Sequence, residues 1–97
     1  MIHHVVMFRW KPETPDAQVE LVHDGLAALP GLVPSIRTYA HGSDLGAREG
    51  TYDYAIAATF DDLDGWRAYD EHPAHDEVRA KLIRPWAAER ASVQFET

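Results

Sequence analysis

"RAYDEHPAH", residues 67–75, is the stretch on which the fold turns. Upstream of it Leu63, Trp66 and Tyr69 recur at steps of three, as on one face of a helix, and Asp61 and Asp62 are good N-cap candidates. Downstream Val78, Leu82 and Trp86 recur at steps of four. Pro73 stands between the two stripes. Inside a helix a proline removes a hydrogen bond and clashes with the preceding turn, whereas at a first helical position it is welcome. The spacing therefore predicts one helix that stops before residue 73 and a second that starts there.

Outward from this pair of helices the chain alternates. Ile2–Trp10 places Ile2, His4, Val6, Phe8 and Trp10 on one face and His3, Val5, Met7 and Arg9 on the other, as a strand covered on both sides would. Thr14 as N-cap and Pro15 at the first position open a helix reaching Leu29, with Val19, Val22, Leu26 and Leu29 as its stripe and PGLVP as its stop. Ser35–His41 reads as a second strand, GSDLGAREGT (42–51) as a polar connection, Tyr52–Phe60 as a third strand and Arg90–Glu96 as a fourth. The order β-α-β-β-α-α-β is that of an α+β ferredoxin-like domain: one unit over residues 1–97, with a four-stranded antiparallel sheet and helices on one side. The other sheet face, with Val5, Met7, Ala55 and Ala57, is too apolar for water. Its economical cover is the same face of a second copy, giving a homodimeric α+β barrel in which His3 belongs to the contact.

Composition excludes several classes. Hydrophobic residues at 45% and charged residues at 26% describe a folded domain, not a disordered tail. A net charge of −7 with scattered basic residues argues against nucleic acid as a partner. No apolar run has the length of a membrane span, and the start MIHHVVMFRW lacks signal-peptide features, so no membrane partner and a cytoplasmic location are expected. The chain has no cysteine, which removes disulfides, zinc-thiolate sites and thiol nucleophiles.

The remaining chemistry lies in Tyr, His and the carboxylates. On an unbroken helix residues six apart point about 120° away from each other, so Tyr69 and His75 converge only if the chain breaks at Pro73. His72, before the proline, is pushed toward an extended conformation and allows that swing. At a helix start the exposed amides disfavour an imidazolium, which lowers the His75 pKa, while Asp76 and Glu77 would push the other way. A neutral imidazole beside a phenol is sufficient in kind for enolate chemistry, with His75 taking an α-proton and Tyr69 holding the oxygen. The same residues admit a structural reading: His72 an N-cap, His75 bonded to a backbone carbonyl, Tyr69 and His4 core side chains. Val6, Phe8, Tyr54, Ile56, Trp66 and Trp86 either line a pocket between sheet and helices or fill it. A metal bound by His4, His72 and His75 lacks a completing spacing, and no metal or other cofactor is expected. His23 and His41 read as surface residues.

Three segments together, HVVMFRWK (4–11), SDLGAREGTYDYAIAATFDDLDGWRAYDEHPAH (43–75) and RPWAAERASVQFE (84–96), resemble the stress-responsive dimeric α/β-barrel (Dabb) family over nearly the whole chain. The resemblance implies a ferredoxin-like subunit that dimerises through its sheets. It also implies a cofactor-independent chemistry, because a plant member, olivetolic acid cyclase, closes an aromatic ring from a linear polyketide with a tyrosine and a histidine. Those two match Tyr69 and His75, and a pocket histidine matches His4; a further pocket histidine falls at Tyr54, where this sequence departs. Two functions follow as expectations: a cofactor-free cyclase or lyase acting on a hydrophobic, polyketide-like carbonyl compound, or a non-catalytic ligand-binding dimer with a packed core.

Overall fold

The computed structural model describes all residues, Met1–Thr97. Its elements are β1 (Ile2–Trp10), α1 (Asp16–Leu32), β2 (Ile36–Ser43), β3 (Tyr54–Phe60), α2 (Leu63–Asp70), α3 (Pro73–Val78), a π-helical turn (Arg79–Ile83) and β4 (Ala87–Glu96). The strands form one sheet in the order β2-β3-β1-β4, every neighbour antiparallel. This is the ferredoxin-like arrangement expected from the sequence. No helix is long and apolar enough to cross a membrane.

Register carries the alternation into space. Val6 lies opposite Ile56 on one side and Ser92 on the other, so Ile2, His4, Val6 and Phe8 share the helix face with Tyr54, Ile56, Ala58 and Phe60. All eight are buried. Val22, Leu26 and Leu29 of α1 and Tyr69 of α2 close the core over them. Gly25 lets α1 come close to the chain after α3, since a Cβ there would stand 2.9 Å from Leu82 Cδ1. The opposite face is open: Ala55 and Ala57 are exposed, as are Val93 and Phe95, and His3 stacks on Phe95 at 4.7 Å.

Several boundaries differ from the sequence reading. Helix α1 runs through Pro30 to Leu32, because a proline in the last turn forfeits a single hydrogen bond and the Val33 amide still reaches the Leu29 carbonyl at 2.8 Å. Its cap is Pro15, not Thr14, whose buried hydroxyl finds no partner. Strand β2 extends to Ser43, whereas β3 begins only at Tyr54. Asp53 is drawn out of β3 to anchor the connection, its carboxylate accepting from the Trp10 amide at 2.8 Å and its carbonyl from Asp44 at 2.8 Å. Strand β4 starts at Ala87. The break in the second helix falls where the proline rule puts it: Asp62 caps α2 by accepting from Gly65, and His72, extended at φ −68 and ψ 134, caps α3.

Candidate active site

Helices α1, α2 and α3 cover the sheet from β2 to β1 and leave β4 bare on that side. The result is a cavity of about 600 Å³. Its floor is His4, Val6 and Phe8 of β1 with Ile56 of β3; its walls include Trp66, Tyr69, His75 and Ile83; its rim carries Asp70, Arg79, Arg84, Glu89 and Arg90. The space is open, so a core packed shut is not what this chain has. It is also less apolar than expected, because β4 turns Arg90, Ser92 and Gln94 toward it.

Tyr69 and His75 meet across the break. Their rings stack with centroids 4.2 Å apart and planes 26° from parallel. The His75 Nδ1–H donates to the Asp70 carbonyl at 3.2 Å, the last residue of the helix it faces. That bond places the proton of the neutral ring on Nδ1 and leaves a lone pair on Nε2. Burial, above all, holds the His75 pKa below its ordinary value, opposed by the Asp70 carbonyl bond. The direction matches the sequence reading, with desolvation as the largest cause. Asp76 opposes it weakly, and Glu77 is occupied by Lys81 at 2.9 Å. His72 is the cap of the structural reading, its Nδ1 accepting from the Ala74 amide at 3.0 Å.

The Tyr69 hydroxyl points elsewhere. It bonds the Tyr39 hydroxyl of β2 at 2.8 Å, and the residue is wholly buried. Burial raises the pKa of both phenols. Tyr69 thus offers the cavity its ring, while its oxygen belongs to a phenol pair under the helices.

His4 is the second imidazole on the cavity. Its Nδ1 accepts from the Trp66 indole N–H at 3.2 Å and from the Gln94 amide at 2.9 Å. An indole nitrogen can only donate, so Nδ1 of His4 is unprotonated and the neutral ring carries its proton on Nε2. Burial first, then the fields of His75 and Arg90, push its pKa down to about 4. The ring lies 5.8 Å from that of Tyr69, on which His75 also stacks. No protein group bonds the Nε2 of His4 or of His75, yet neither nitrogen is sealed from solvent. Both residues line the cavity.

Two expected lining residues lie outside it. Tyr54 is buried beneath β2 and α1, its hydroxyl bonded to His41 at 2.7 Å and to His23 at 3.4 Å, and burial pushes its pKa up to about 12. This cluster also corrects the surface reading of His41, which is half-buried with its pKa lowered by desolvation and by His23. Trp86 sits before β4, its carbonyl accepting from the Lys11 amide at 2.8 Å. The π-helical turn, closed by Arg84 N–H to the Arg79 carbonyl at 2.9 Å, breaks the stripe from Val78 and Leu82 and presents Arg79, Ile83 and Arg84 to the cavity instead. No signal in the sequence marks that wide turn. Trp66, read from the sequence as part of a helix stripe and a candidate lining residue, proves to fix the His4 tautomer. No group of three or more His, Asp or Glu side chains is arranged to hold a metal ion.

Comparison with known proteins bears on this geometry. The sequence pattern of the Stress responsive A/B Barrel Domain, Dabb, matches residues 2–97. An uncharacterized protein of Streptomyces coelicolor is 31% identical over 77 residues, 77% of this chain and 79% of its own. A dimeric ferredoxin-like protein of unknown function from Thermobifida fusca superposes with a TM-score of 0.92 at 43% identity, covering 99% of this chain and 90% of that one. The hydroxynitrile lyase of Passiflora edulis shares the fold, with a TM-score of 0.84 at 20% identity over 97% of this chain and 90% of its own.

Proposed function

The chain belongs to the Dabb family, the stress responsive A/B barrel domain, and from that premise we propose that it is a cofactor-independent catalyst of enolate chemistry on a carbonyl compound. The observation that carries the reading is the pair of imidazoles with opposite tautomers on one cavity: a lone pair at His75 Nε2 and a proton at His4 Nε2. One nitrogen can accept a proton where the other can donate a hydrogen bond.

In the reaction so read, His75 Nε2 removes a proton from the carbon next to a carbonyl. The C–H electrons move into a new C=C bond and the carbonyl π electrons move onto oxygen, where His4 Nε2–H stabilises the charge. The enolate carbon then either takes a proton back from His75 or attacks a second carbonyl in the same molecule, as in an aldol-type ring closure of a polyketide-like compound. In the second case the imidazolium returns its proton to the new alkoxide. Both histidines are held neutral near pH 7 by burial, which keeps the base free. Tyr69 supplies the flat wall that orients His75, taking a positioning role in place of the oxygen-binding one expected from its type. A cavity of this volume is in the range of small-molecule sites. That a hydroxynitrile lyase shares the fold is compatible with carbonyl chemistry on this scaffold.

The working unit is a homodimer joined through the open sheet faces. The Thermobifida fusca relative is dimeric, and the apolar strip of Val5, Ala57 and Val93 runs across three strands of this face.

The test is proton exchange. Ethyl benzoylacetate, an enolisable carbonyl compound, is followed by NMR in D₂O with and without protein. Acceleration of α-proton exchange by the wild-type chain, lost in His75→Gln, is expected. Binding of the ester without acceleration would leave a ligand-binding dimer in its place.

A further inference from the structure

The cavity rim carries a charge imbalance that the proton-transfer chemistry does not use. The chain has an acidic excess of −7, and four of its nine basic residues are in ion pairs: Arg9 with Glu89, Arg37 with Asp61, Arg79 with Asp70 and Asp76, Lys81 with Glu77. Lys11 donates to the Pro85 carbonyl. Arg84 and Arg90 have neither an ion pair nor a side-chain hydrogen bond, and both line the cavity. The carboxylates beside them are already engaged. Asp70 and Asp76 hold Arg79, and Glu89 bonds the Arg9 Nε at 3.1 Å. In a strongly acidic protein, the one cavity that holds two imidazoles thus has two uncommitted guanidinium groups at its edge.

We propose that the compound received by this cavity bears a carboxylate, which Arg84 and Arg90 hold at the rim while its carbonyl end reaches His4 and His75. The inference rests on the enolate reading above and narrows its substrate class to oxo acids. A guanidinium presents a planar fork of N–H donors that matches a carboxylate, and both Arg84 and Arg90 are exposed at the cavity edge where an entering anion meets them. Arg90 stands on β4 opposite Phe8, on the helix side of the sheet, and its field reaches both His4 and Tyr69. Arg84 reaches the cavity because the π-helical turn carries it there. An anion fixed at the rim would also leave the two Nε2 atoms, deeper on the floor and wall, for the carbonyl end.

The experiment compares benzoylacetate with its ethyl ester, the same carbonyl compound without the charge, by calorimetric titration of the full chain. The acid should bind about tenfold or more tightly than the ester. That ratio should fall several-fold in Arg84→Gln and in Arg90→Gln, and collapse in the double variant. Arg67→Gln, which removes an exposed charge away from the cavity, controls for net charge and should keep the ratio. Equal affinity for acid and ester, an unchanged ratio in the double variant, or binding of neither compound would overturn the proposal. Exchange of the ester's α-protons separates the two ideas. Catalysed exchange without acid preference removes the carboxylate site alone, and acid preference without catalysed exchange removes the enolate chemistry alone.

Discussion

The His75 imidazole lies 4.2 Å from the Tyr69 ring although a straight helix would set the two residues about 120° apart. Pro73 is the cause, because it ends one helix at an extended His72 and starts the next with His75 in its first turn. Replacing Pro73 with alanine lets the helix run on. The upfield ring-current shift of the His75 protons should then diminish, and exchange activity should drop by tenfold or more while far-UV circular dichroism shows equal or greater helicity. An unchanged shift would mean that packing, not the proline, sets the turn.

A base with a depressed pKa sets a pH profile. His75 titrates below 6.5 because burial disfavours its charged form. Turnover should rise with pH through a midpoint below that value and be flat from pH 7 upward, with kcat/KM reporting the free protein. His75→Gln should lower the plateau by about 10²–10⁴-fold, the range for a general base. A profile that continued to climb above pH 8 would point to a phenol, both buried tyrosines having raised pKa values.

The open sheet face predicts a mass. Val93 on β4 is half exposed in the subunit, faces Val5 across the register and sits at the middle of the apolar strip. An aspartate there would place a charge in a dry contact, at a cost that a contact between small copies cannot absorb. Light scattering should therefore fall from twice 10.9 kDa to 10.9 kDa in Val93→Asp, with the Tyr69–His75 stacking shift intact on the other side of the sheet.

How much of this was legible in the sequence follows from which signals are local. The proline break, the Asp62 cap and the alternation of β1 are decided by neighbours within a turn or two, and each appears where the residues put it. The meeting of Tyr69 with His75 depends on one angle and could be stated beforehand as a consequence of Pro73. Trp86 and Tyr54 could not be placed. The first depends on a π-helical turn with no sequence signature, and the second on whether α1 or the cavity covers that end of β3. The Tyr39–Tyr69 hydroxyl pair joins residues thirty positions apart, and the Trp66–His4 bond residues sixty-two apart. Such bonds belong to packing, so nothing in the sequence showed that the Tyr69 hydroxyl is taken by Tyr39.

The phenol pair has a stability consequence. With Tyr39 changed to phenylalanine the Tyr69 hydroxyl remains fully buried with no partner, which should cost about 1–3 kcal/mol in urea unfolding. Changing both to phenylalanine removes donor and acceptor together and should cost less than the two single changes added. Strict additivity would mean that the hydroxyls do not interact.

His4 makes folding depend on pH in a definite direction. Its pKa is about 4 in the folded chain against 6.5 for an exposed imidazole, so between those values the unfolded chain takes up a proton that the folded chain refuses. Protons then favour unfolding, and stability is complete above pH 6.5 and lost as pH falls toward 4. The lost amount is on the order of 3 kcal/mol, since each unit of pKa difference is about 1.4 kcal/mol. His75, displaced in the same direction, adds to the loss. Below pH 4 the protonated ring can no longer accept from the Trp66 indole, so Trp66 fluorescence should change with the same midpoint. Urea midpoints compared at pH 7 and pH 4.5 should separate widely for the wild-type chain and less for His4→Phe, whose apolar ring fits the buried floor but binds no proton. Equal separation in the two proteins would place the titrating group elsewhere and remove the tautomer assignment on which His4 Nε2–H depends.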